Sequence, residues 1–132
     1  MNLKRFDKKE KLQDQMREKE QQMPANGIVE KICLDGILTI CLSGKVDVQN
    51  YEEIQSEVSG LVNSESFKKF VFDMDKVTYV SSAGLRMFSS VNQKVSEKDA
   101  KYELINMRED IMKLFQMTGY ASAFVIKLKS EE

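Results

Sequence analysis

The stretch Phe70-Val-Phe-Asp-Met-Asp-Lys-Val-Thr-Tyr-Val-Ser-Ser-Ala-Gly-Leu-Arg-Met-Phe88 decides the fold. Its first five residues form a short apolar run, whose continuous character suits a strand covered on both faces. The run breaks at the small polar pair Ser81-Ser82. Apolar residues then return with helical spacing at Leu85, Phe88, Val91 and Val95, which predicts a helix from Ser82 to Ser96. A strand feeding a helix is the first half of a β-α-β unit. It also places a serine hydroxyl at a helix start, where backbone N–H groups lack partners and negative charge is supported.

Upstream, Ile28–Leu34 and Ile37–Leu42 read as two strands joined at Asp35-Gly36, a dipeptide suited to a tight hairpin. Ser43–Gln49 reads as a loop. A helix follows with Tyr51, Ile54, Val58, Leu61 and Val62 on one side, and Asn50 with Glu53 fits a capping box. Downstream, Tyr102–Asn106 reads as a strand. Glu109–Met117 reads as a helix with Ile111, Met112, Leu114 and Phe115 inward, stopped near Gly119, and Phe124–Leu128 as the last strand. The order ββαβαβαβ predicts an α/β fold. Its sheet is mixed and mostly parallel, of about five strands, with helices packed against it.

This domain spans residues 26–132, and residues 1–25 form a charged N-terminal extension. The extension is rich in Lys, Glu, Gln and Arg, which favour helix. Leu3, Phe6, Leu12, Met16 and Met23 are too few for a full buried face. Two readings stand: a solvated helical or disordered extension, or a helix that docks on a partner or a second copy. Pro24-Ala-Asn-Gly27 breaks any helix before the domain begins.

The 132 residues suffice for one core, and a formal net charge of -1 gives no pull towards nucleic acid. The chain has no histidine, which excludes His-based triads, phosphohistidine relays and HExxH metal sites. Cys33 and Cys41 lie in apolar, strand-like runs and read as reduced core thiols; no Cys-x-x-Cys occurs. Asp73 and Asp75 lack companion carboxylates for a Mg²⁺ site and read as structural or surface residues. No apolar run reaches the ~18 residues of a membrane span, and the first residues lack a signal-peptide core. A cytoplasmic location is the expectation. Nucleotide-binding and nucleophile-elbow motifs are missing, so no cofactor and no enzymatic activity are expected.

Residues 28–128 resemble a STAS domain, the family of bacterial anti-sigma factor antagonists and of the cytoplasmic tails of sulfate transporters. Three stretches carry the resemblance: Leu42-Ser-Gly-Lys-Val-Asp47 before the first helix, Phe70–Met74 with Val77–Leu85, and Leu114-Phe-Gln-Met-Thr-Gly119. The resemblance implies a phosphorylation-controlled binding switch. Alignment on Gly84-Leu85 puts the phosphoacceptor at Ser82, and Ser81 stands where many relatives carry Asp. The partner surface would involve Asp47, Ser81, Ala83, Gly84 and Arg86. The implied partners are an anti-sigma factor serine kinase, captured when Ser82 is unmodified so that a sigma factor is freed, and a phosphoserine phosphatase. The alternative is a free-standing STAS subunit that regulates or stabilises a membrane transporter ATPase without phosphorylation. The residues alone also allow plainer roles: Ser81 and Ser82 as helix caps, Asp47 as a turn residue, and Gly84 as a point where another backbone comes close.

Overall fold

The computed structural model describes residues 25–130. In chain order they form β1 (Gly27–Leu34), β2 (Ile37–Val46), α1 (Tyr51–Ser64), β3 (Lys69–Val80), α2 (Ser82–Ser96), β4 (Lys101–Met107), α3 (Glu109–Met117), a 3-10 turn (Ala121–Ala123) and β5 (Val125–Leu128). The N-terminal extension, apart from Ala25, lies outside the described residues. No described helix is long and apolar enough to cross a membrane.

The five strands lie side by side in their chain order. β1 and β2 are an antiparallel hairpin, and each later pair is parallel. The hairpin turn is Asp35-Gly36, both with positive φ (55° and 78°), which glycine takes without strain and aspartate tolerates. Because each crossover moves one strand onward and crossovers are right-handed, all three helices fall on one face. Leu38, Ile40 and Leu42 of β2, Phe70, Phe72 and Met74 of β3, and Tyr102 and Leu104 of β4 point into that layer and are buried. Ile54, Val58 and Val62 of α1, Phe88 and Val91 of α2, and Ile111 and Phe115 of α3 close the core above them. Met112 and Leu114, also expected inward, are half-buried at its margin.

An aromatic cluster fills the centre. Phe72 meets Phe88 edge-on with centroids 5.1 Å apart, and Phe88 leans on Phe115 at 5.9 Å. Such pairs prefer tilted geometry because ring faces are negative and edges positive. The Tyr102 hydroxyl donates to the Phe88 carbonyl at 2.7 Å, tying β4 to the middle of α2. At the far end of the layer, the Lys98 ammonium donates to the Val62 carbonyl at 2.5 Å and the Glu65 carbonyl at 3.3 Å. It thereby satisfies free carbonyls where α1 ends and places a cation against the negative end of that helix.

Four expectations are corrected. β3 does not stop at Met74 but runs twelve residues to Val80, and β2 continues through Ser43–Val46 where a loop was expected. The two pair along this extension, Gly44 with Val77 and Val46 with Val80, and bury Val46, Val77 and Val80. Cys33 and Cys41 are free but are not core residues. β1 is an edge strand that leaves Cys33 exposed, and Cys41 alternates with the core residues Ile40 and Leu42, so it faces the side without helices. Cover of β3 on both faces holds only at Val71. Asp73 and Asp75 share its face and are half-exposed.

Burial of the Tyr102 phenol pushes its pKa well above the ordinary value of 10. The buried neutral form therefore supports the fold fully below pH 10, and this support is lost as pH rises further, because the unfolded chain ionises first. Tyr102→Phe should lower the urea-unfolding free energy by about 1 kcal/mol at neutral pH. It should also flatten the decline in stability above pH 10, measured by repeating the titration at stepwise higher pH.

Candidate functional site

The paired extensions of β2 and β3 carry two turns to the same end of the sheet. The Ser81 amide donates to the Val46 carbonyl at 2.9 Å, so α2 begins where β2 stops. Ser81 is extended (φ -88°, ψ 176°), and its Oγ accepts from the Gly84 amide, which makes it the N-cap. Ser82 is thus released from capping. It is the first helical residue, it is exposed, and its hydroxyl has no partner among the described residues.

Gly84 shows why this turn needs glycine. A Cβ there would lie 2.5 Å from the Val46 carbonyl oxygen and 3.0 Å from Val80 Cγ1. The first turn of α2 is pressed against the end of β2 more closely than any side chain allows. Ala83 and Gly84 are buried, so they shape the surface from beneath and present no side chain to it. Arg86 is exposed on the same side of α2, one turn beyond Ser82, and forms no ion pair among the described residues.

Asp47 follows Val46 and is half-buried. Its Oδ1 accepts from the Gln49 amide at 3.0 Å, and its carbonyl accepts from the amides of Asn50 and Tyr51 at 3.2 and 2.9 Å. This is an aspartate turn of the plain structural kind. The expected capping box fails. Asn50 is the residue before α1, but its side chain makes no cap; its Oδ1 accepts from the Asp47 amide and its Nδ2 donates to the Lys45 carbonyl. Asparagine carries its acceptor and its donor on two separate atoms and so reaches the Asp47 amide and the Lys45 carbonyl at once, which the single oxygen of a serine does less readily.

The helix starts differ in charge. α1 opens with Glu52 and Glu53 and α3 with Glu109 and Asp110, which offset the positive end of each helix. The first turn of α2 contains no acid. Two exposed residues flank it that sequence reasoning did not single out: Val48 at the tip of the Asp47 loop and Tyr79 on β3, opposite Lys45. Their signal was an apolar residue in the turn after β2 and an aromatic one on the extension of β3, visible only once the ends of those strands are known. Asp73 and Asp75 lie lower on β3. Asp73 Oδ1 accepts from the Asp75 amide and from Asn106 Nδ2, and Asp75 pairs with Lys129 at 2.8 Å.

The STAS domain family model matches residues 29–132, nearly all of the folded unit and the whole of this site. The chain belongs to the STAS domain family. A Bordetella bronchiseptica protein described as a candidate anti-sigma factor antagonist, BtrV, is 28% identical to this STAS domain protein over 93 residues, covering 70% of this chain and 79% of the relative. The anti-sigma factor antagonist SpoIIAA in its unphosphorylated form superposes with a TM-score of 0.62 at 13% identity, over 79% of this chain and 89% of that one. The Bacillus SpoIIAA in its phosphorylated form superposes at 0.59 and 16%, over 77% and 92%. A sulfate transporter family protein from Wolinella succinogenes gives 0.62 and 13%, over 74% and 80%. At these identities the structural likeness shows the shared fold.

Substitutions in the first turn of α2 should separate by role in thermal or urea unfolding. Gly84→Ala must push the helix off Val46 and should cost about 1–3 kcal/mol. Ser81→Ala loses the cap and should cost about 1 kcal/mol. Ser82→Ala should fall within about 0.5 kcal/mol of the parent, as exposed positions do.

Proposed function

We propose that this STAS domain protein is an anti-sigma factor antagonist: a cytoplasmic binding protein, not an enzyme, whose docking surface surrounds Ser82 and is switched by phosphorylation of that serine. The observation that carries the reading is the division of labour at the start of α2. Ser81 takes the cap, and the neighbouring hydroxyl of Ser82 is left exposed and unengaged. The acid-free first turn supports it, since a phosphate there meets a positive helix end that no carboxylate already offsets. The likeness to BtrV and to SpoIIAA supports the same assignment.

The partner is a serine kinase that also holds a sigma factor. It meets Ser82, Arg86, Asp47, Val48 and Tyr79 while Ser82 is unmodified, and releases the sigma factor on binding. Phosphorylation adds about 1.5–2 negative charges. A group of that charge must be desolvated to enter a close interface, which costs binding unless the partner supplies cations. A loss of only ~2.8 kcal/mol weakens a complex a hundredfold. A phosphoserine phosphatase resets the switch.

The likeness to the Wolinella sulfate transporter family protein supports a second reading, in which the same surface grips a transporter ATPase and Ser82 stays unmodified. Co-purification distinguishes the two: a kinase and a sigma factor in one case, an ABC-type ATPase in the other. In calorimetric titration against the captured kinase, Ser82→Ala should bind like the parent, and Ser82→Asp about a hundredfold more weakly. Equal affinities of the two variants, together with an unmodified Ser82 peptide after incubation with kinase and ATP, would sink the switch.

A further inference from the structure

The last residues of β2 run past the start of β1. β1 pairs with β2 from Gly27, opposite Ser43, whereas β3 follows β2 as far as Val46. Residues 44–46 therefore have a strand on one side and none on the other among the described residues. Backbone groups on the vacant side still need partners. Two asparagine side chains stand in for the missing strand. Asn26 Oδ1 accepts from the Lys45 amide at 2.9 Å, and Asn50 Nδ2 donates to the Lys45 carbonyl at 2.8 Å. Asn50 Oδ1 also accepts from the Asp47 amide at 3.0 Å. The fit at Asn26 is close: Gly44 has φ 69°, and a Cβ there would collide with Asn26 Oδ1.

A peptide unit is planar, so holding one end of it aims the other. The Val46 carbonyl and the Asp47 amide are the two ends of one such unit and point in opposite directions. Asn50 holds the amide end, and the carbonyl end accepts from the Ser81 amide at 2.9 Å. Three successive peptide units between Gly44 and Asp47 are held in this way, the first by Asn26 and the next two by Asn50. On the reading that a partner docks around Ser82, we propose that Asn26 and Asn50 are positioning residues of that surface. They aim the Val46 carbonyl at the first turn of α2 and so set where Ser82 stands relative to Asp47 and Val48.

The Val46–Asp47 unit is the joint between the two halves of the surface. Ser82 is carried by α2, and Val48 by the turn that follows β2. The carbonyl of the joint touches the helix and its amide touches the turn. A joint left free to rotate would let the two halves shift against each other while the core below stays packed. The two asparagines differ in what they supply. Asn26 serves Lys45 through its acceptor, which an aspartate retains. Asn50 serves through an acceptor and a donor together, and alanine removes both.

The test measures hydrogen exchange of the Ser81 amide by NMR in the full-length chain, as a ratio to the Leu104 amide of β4, which tracks global stability. Asn50→Ala should raise the ratio about tenfold and Asn26→Ala about threefold, and Asn26→Asp should restore the parent value. Lys98→Met, which removes side-chain bonds to carbonyls at the far end of α1, should leave the ratio unchanged. Against the serine kinase captured by the parent protein, Asn50→Ala should bind about tenfold more weakly and Lys98→Met like the parent. A Ser81 rate that moves only in step with Leu104 would overturn the proposal. So would an unchanged affinity in Asn50→Ala despite a raised ratio. Failure of the docking reading shows separately, as Ser82→Asp binding like the parent while the Ser81 ratio still responds to Asn50→Ala.

Discussion

The close approach of α2 to the end of β2 is the constraint on which the functional end of this domain depends. Two backbones meet there without an intervening side chain. The Ser81 amide bonds to the Val46 carbonyl, and Gly84 packs against that same oxygen. Val46 is buried beneath the contact and Val80 walls its side. The position of Ser82 is a consequence. With Ser81 held as cap and Gly84 held inward, the residue after the cap can only project to solvent.

Topology supplies the rest of the setting. A sheet whose strands follow chain order, linked by right-handed crossovers, gathers its helices on one face and their N-termini at one end. Three positive helix ends therefore converge on the rim that carries Asp47 and Ser82. Two are offset by their own acids and one is left open. The same arithmetic leaves the other face bare of described helices. There Glu103 lies between Lys69 at 3.1 Å and Lys127 at 3.3 Å. Partial burial works against its charge, and the hydrogen bonds from the two lysines outweigh it, holding its pKa below the ordinary carboxylate range.

Local signals were legible wherever chemistry left few options. Asp35-Gly36 had to turn, Gly119 (φ 82°) had to end a helix, and the 3.6-residue rhythm from Leu85 to Val95 had to bury one side. The boundaries of α2 and α3 follow directly from those residues. What was not legible depended on partners distant in sequence. Asp75-Lys76 interrupts the apolar run that begins at Phe70, and pairing of Lys76–Val80 with Ser43–Val46 is what carries the strand past it. Asn50 looks like a cap until the Lys45 carbonyl and the Asp47 amide are brought within its reach. The cysteines look like core because the sequence does not say that β1 is an edge or that Cys41 faces the side of the sheet without helices. At the site, which of Ser81 and Ser82 caps the helix was open in sequence, and the bond from the Gly84 amide gives that role to Ser81.

That pinned turn also constrains how any modification at Ser82 could act. Relief of a new charge by unwinding the first turn would break the Ser81–Val46 and Ser81–Gly84 hydrogen bonds, each contributing about 1 kcal/mol. It would also draw the buried Leu85 out of the core, at about 2 kcal/mol or more. Together these exceed the ~2.8 kcal/mol that a hundredfold change in affinity requires. The inexpensive response is to leave the helix intact and let the phosphate stand at its positive end. A covalent signal at this position would therefore be read by what can approach the surface, with the fold beneath it held constant.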